Sequence, residues 1–127
     1  MKKSMTFSPP NSLILVMDHE AGVLPDQIGD ELVAATDSCL AIGTLAALDG
    51  ESTIILTDDL DGLEIGDLVF DGTLSTPNLE LSVCDVRNAK LLTLPVQESS
   101  TRVQAFANDP SEPNMIVVYT HRYDVLA

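Results

Sequence analysis

Leu79-Glu80-Leu81-Ser82-Val83-Cys84 carries an apolar side chain at every second position. A period of two puts alternate residues on opposite faces of a strand, with one face in a core and the other toward water. Leu79, Leu81 and Val83 are the expected inward set. Thr76-Pro77-Asn78 supplies a turn before this strand, and Asn88-Ala89 a short connection after it. The next run, Lys90 to Val96 (KLLTLPV), contains Pro95, which only an edge or a strand end tolerates because proline donates nothing to a ladder. In Thr101 to Ala107, Val103, Ala105 and Ala107 alternate with Arg102, Gln104 and Phe106. A turn at Asn108-Asp109-Pro110 and Pro113 then leads into a last strand, Met115 to Thr120 (MIVVYT). The tail HRYDVLA either extends that strand by a residue or two or frays.

Toward the N-terminus, Ser12 to Asp18 (SLILVMD) reads as a buried strand. HEAGVLPDQIGDELVAAT is irregular, with at most one turn of helix, because Gly22 and Gly29 weaken any helical reading. DSCLAIGTLAA is small and apolar, as expected of a strand pressed against a close neighbour. Asp49-Gly50 suits a tight hairpin into Ser52 to Thr57 (STIILT). Asp67 to Leu74 is a further strand, with Asp71-Gly72 marking a turn or bulge within it. Seven or eight short strands with little helical period predict an all-β fold, a jelly-roll-like antiparallel β-sandwich of two sheets. The expectation is one domain over residues 1–127, with residues 1–11 as a flexible arm.

The charge is strongly one-sided. The 127 residues carry a net charge of −14, against the roughly 2–8 usual for a soluble small domain. Between Lys3 and Arg87 there is no Lys or Arg, while sixteen acids fall in that interval. They are densest in Thr57 to Gly72 (TDDLDGLEIGDLVFDG), which holds Asp58, Asp59, Asp61, Glu64, Asp67 and Asp71. Nucleic acids and anionic membranes are disfavoured as partners, since phosphate recognition needs clustered basic groups. The asymmetry points to a basic protein docking on these six acids; the alternative is an accessory domain whose acids only solubilise it.

No catalytic or cofactor motif accompanies the acids. With Gly62 at the sixth position of a calcium loop, Thr57 and Leu68 occupy the two positions that require carboxylates, although Asp59 and Asp61 match positions three and five and leave a weak irregular calcium site open. Asp18-His19-Glu20 flanks a histidine with carboxylates, but adjacent strand residues diverge, and His121 is the only other histidine. G-x-S-x-G, GxGxxG and GxxxxGK are absent. Asp37 and Asp85, each near a cysteine, read as strand-end acids. The expectation is a protein that is not an enzyme and holds no metal or cofactor. The apolar run Leu13 to Met17 is shorter than the roughly 7–15 residues of an export signal. A cytoplasmic location follows, with Cys39 and Cys84 reduced and packed.

The order LVAATDSCLAIGTLAA, a hairpin with STIILT, and then NLELSVCDVRNAKLLTLPVQESSTRVQAFAND resembles the competence protein J family, bacterial inhibitors of the DNA-entry nuclease. The resemblance covers about the last three quarters of the chain as element order. It implies a small cytoplasmic protein that binds and blocks a nuclease, without chemistry of its own. It assigns no inhibitory residue, and the chain departs from that family in being more acidic and poorer in aromatics.

Overall fold

The computed structural model describes residues 1–27 and 29–121. Its strands are β1 (Lys2–Phe7), β2 (Leu13–Met17), β3 (Val33–Ala35), β4 (Cys39–Gly43), β5 (Ser52–Thr57), β6 (Asp67–Ser75), β7 (Glu80–Cys84), β8 (Lys90–Pro95), β9 (Ser100–Ala107) and β10 (Met115–Thr120). They form two five-stranded sheets, ordered β1-β5-β10-β9-β6 and β3-β4-β2-β7-β8. Every ladder is antiparallel except β5 with β10, so the first sheet is mixed. The all-β two-sheet expectation holds, with ten strands in place of seven or eight. The expected extension of the last strand by the tail falls beyond His121, outside the described residues.

Between the sheets lies one aliphatic core. Ile54, Leu56, Leu74, Val103, Ala105, Ile116 and Val118 of the first sheet meet Ile14, Val16, Leu40, Ile42, Leu81, Val83 and Leu94 of the second. A second cluster, Leu15, Met17, Cys39, Ala41 and Cys84, lies on the outer face of the second sheet. Burial on both faces explains why β2 and β4 read as unbroken apolar runs. It also corrects the half-buried reading of β7: Ser82, on the face opposite Leu81 and Val83, is fully buried, as is Cys84 beside it, which was expected to pack. Leu79, expected inward, precedes the strand in a left-handed conformation (φ 59) and is 45% exposed.

Three further expectations are corrected. Asp49-Gly50 makes no hairpin: it closes a 3₁₀ turn, and its flanking strands lie in different sheets. β4 is already paired on both sides by β3 and β2, which leaves no edge for β5. Of residues 1–11, Lys2–Phe7 form β1, registered on β5 from Lys2 opposite Thr57 to Phe7 opposite Ser52, with Met5 and Phe7 packed on the core. The bulge of β6 falls between Leu68 and Phe70 and not at Asp71-Gly72. Gly72 serves another purpose, since a Cβ there would strike the Phe70 ring.

The pairings β5 with β10, β10 with β9 and β9 with β6 make β5 and β6 parallel. Their connection, residues 58–66, must therefore return along the length of the first sheet, and the core occupies the inner face. It begins beside Met1, whose carbonyl accepts from the Asp58 N–H (3.2 Å), and ends with Gly66 so close to the Ala107 carbonyl that no Cβ fits. This acidic strap lies over the outer face, on which Ile55 and Val117 are withdrawn from water.

Candidate functional site

The six acids singled out from the sequence lie along the strap and down edge strand β6. Asp58 pairs with the N-terminal ammonium at 2.6 Å. The strap turns just beyond it: Thr57 Oγ1 accepts from the Asp59 N–H (3.0 Å), Asp59 Oδ1 accepts from the Asp61 N–H (2.9 Å), and Gly62 takes a left-handed φ of 76. Asp59, Asp61, Glu64 and Asp67 are exposed, and none of the four makes an ion pair among the described residues. On β6, Asp71 receives a bidentate pair from Arg102 (Nε to Oδ1 3.1 Å, Nη2 to Oδ2 2.9 Å) and a third bond from the Gln104 amide. The Arg102 hydrogen bonds hold its carboxyl below the usual carboxylate range. Two of the six thus have cationic partners that the sequence kept apart, because β9 lies beside β6 and β1 beside β5.

The charge is not confined to this side. Glu20, Asp26, Asp30, Glu31 and Asp37 are exposed on the connection from β2 to β4. That connection covers the outer face of the second sheet, where a Cβ on Gly22 would collide with Met17.

At the end of the first sheet's outer face is a groove of about 360 Å³ lined by Glu51, Thr53, Glu64, Ile65, Asn108 and Met115 among others. Sequence reasoning placed only Glu64 in a candidate surface. The other lining residues converge through the parallel pairing of Thr53 with Met115, which no local pattern announces. Exposed apolar side chains stand among the acids here, Ile65 at 43% and Leu68 at 50%.

The remaining candidates resolve into structural roles. Asp18, almost wholly buried, accepts from the Asn78 backbone N–H (2.7 Å) and amide (3.1 Å). His19 Nε2 lies 2.9 Å from the Asn88 carbonyl, while Glu20 faces outward. Asp85 Oδ1 accepts from the Arg87 and Ala89 N–H groups and closes the β7–β8 turn; Asp37 is exposed. Among the described residues no three His, Cys, Asp or Glu side chains converge as a metal site, Asp59 and Asp61 included. Burial pushes the Cys39 thiol up to about 11 and the Cys84 thiol to about 12. No helix among the described residues is long and apolar enough to cross a membrane.

Fold and surface together define a β-sandwich that presents an acidic crossover strap. Among solved structures it is similar to ComJ, described as the inhibitor of the DNA degrading activity of NucA, from Bacillus subtilis. The TM-score is 0.66 at 9% identity, over 95% of this chain and 96% of that one. A structure described as Crocagin biosynthetic gene J is also similar over 95% and 96% of the two chains, with a TM-score of 0.49 and 11% identity. No family model and no curated protein matches the chain. At such identities the likeness to ComJ is one of fold, as the order of elements had suggested, and it carries no residue role across.

Proposed function

We propose that this protein is a non-catalytic inhibitor of a basic enzyme, a nuclease, and that it occupies the phosphate-binding cleft of that enzyme with the strap surface of Asp59, Asp61, Glu64 and Asp67, flanked by Asp58 and Asp71. The observation that carries the reading is the nearly end-to-end fold likeness to ComJ, described as an inhibitor of a DNA-degrading activity. Electrostatics supports it. A nuclease cleft that receives polyphosphate is basic, and a strap bearing exposed carboxylates over a sheet offers the complementary field and speeds encounter. Such an inhibitor acts in the cytoplasm and needs no cofactor.

The test is association kinetics with immobilised NucA and a panel of basic nucleases over a salt series. An on-rate that falls about tenfold or more from low to high salt, and falls again in an Asp59→Asn/Asp61→Asn variant, is the expected result. Binding to none of the panel would defeat the proposal. The second reading, a solubilising acidic surface, is favoured by the exposed acids on the connection from β2 to β4, a second strap over the other sheet. It predicts that neutralising either strap leaves all associations unchanged.

A further inference from the structure

We infer that the groove at the end of the first sheet is a socket for a long cationic side chain, arginine or lysine, presented by a basic protein partner. One wall is the end of the strap, where Glu64 and Ile65 precede Gly66, which is seated against the Ala107 carbonyl. The other wall is the turn from β9 to β10. There the Asn108 amide donates to Asn114 Oδ1 (2.6 Å), and Asn108 Oδ1 accepts from the N–H groups of Asn114 (3.1 Å) and Met115 (3.2 Å). The floor is outer-face sheet: Thr53, whose hydroxyl is paired with Thr6 (2.9 Å), and the half-buried Met115. Both walls are therefore built before anything binds, which reduces the ordering cost of association.

The chemistry of the lining selects the occupant. Glu51 and Glu64 are the lining groups that carry charge, both exposed and neither making a hydrogen bond or ion pair among the described residues. Ile65 and Met115 add apolar surface beside them. A methylene stem lying on Ile65 and Met115 with its cationic head between two carboxylates satisfies both features, as long basic side chains do at many interfaces. An anionic or neutral polar occupant satisfies neither. Exposed Asp61 adds to the field along the strap, and exposed Asp67 and Leu68 follow it at the start of β6.

The inference deepens the proposed inhibitor role and rests on it only for the identity of the protein that supplies the side chain. Titration of ¹⁵N-labelled protein with N-acetyl-arginine amide reads the groove directly. Saturable amide shifts are expected at Gly66, Asn108, Asn114 and Met115. They should appear also with N-acetyl-lysine amide, be absent with N-acetyl-leucine amide, and weaken at least about fivefold in a Glu51→Gln/Glu64→Gln variant whose other resonances are unchanged. Shifts centred elsewhere, or equal binding by that variant, would overturn the inference. Arginine binding by a protein that inhibits no nuclease would sink the inhibitor role alone. Inhibition by a protein whose groove stays silent would sink the groove alone.

Discussion

Asp18 illustrates what a residue list conceals. In the sequence it belongs to a carboxylate-histidine-carboxylate triplet; in the fold its carboxylate is buried and holds the turn before β7 through two bonds from Asn78, sixty residues away. Hydrogen bonds to a charged group contribute roughly 1.5–3 kcal/mol. Asp18→Ala is accordingly expected to lower unfolding free energy by about 2 kcal/mol in a denaturant titration. Cys39 and Cys84 show the converse, a reading that burial confirms. With both thiols raised well above 9, little thiolate exists at pH 8, and a thiol-disulfide reagent is expected to label neither cysteine until the protein is unfolded. Asp109 adds a pH dependence. Its carboxyl is lowered by the N–H groups of Glu112 and Ser111, so its stabilising contribution is complete above the ordinary carboxylate pKa of about 4 and is lost as pH falls through the lower folded value. Asp109→Asn should lower stability slightly at neutral pH, leave it nearly unchanged in strong acid, and so flatten the acid limb of the stability profile.

Among the elements, β2, β9 and β10 were legible because alternation or unbroken apolarity survives in a short window. β1 was not. Lys2-Lys3-Ser4 and two following prolines look like an arm, and only the unsatisfied edge of β5 makes a strand of them. The hairpin at Asp49-Gly50 failed for the same reason, since turn chemistry is local while partner choice depends on which edges remain open. The strap was legible as charge and illegible as path: nothing in TDDLDGLEIGDLVFDG tells that β5 and β6 run parallel. Gly66 is the residue on which that path depends. Gly66→Ala forces a Cβ into the Ala107 carbonyl, and a loss of about 1–3 kcal/mol is expected from the overpacking, together with amide shifts at Asn108 and Met115. Unchanged stability would mean that the strap does not seat there.

For the whole molecule, the net charge of −14 was plain from the start, but its distribution was not. Acids cover the outer connections of both sheets, while Arg102 and the N-terminal ammonium neutralise part of the first surface. What distinguishes the strap side is the groove that its carboxylates border, since apolar side chains stand open to solvent among the acids on both sides, Ile65 and Leu68 on one and Val23 and Leu24 on the other. An interface needs such apolar anchors within a polar rim, and sequence alone could not bring Glu51, Glu64 and Met115 together. Specificity on this scale follows from shape as well as sign, so a basic protein without a matching cleft should associate weakly and lose that association in salt.

The most direct measurement is cleavage of plasmid DNA by NucA, and by a basic nuclease from the same cell as this protein, titrated with the purified chain at near-physiological salt. An inhibitor that docks through the strap produces a stoichiometric loss of cleavage for at least one of them, weakened when Asp59, Asp61 and Glu64 are neutralised and unaffected when Glu20, Asp26 and Asp30 are. Undiminished cleavage at large molar excess, or equal inhibition after either set of substitutions, would contradict it.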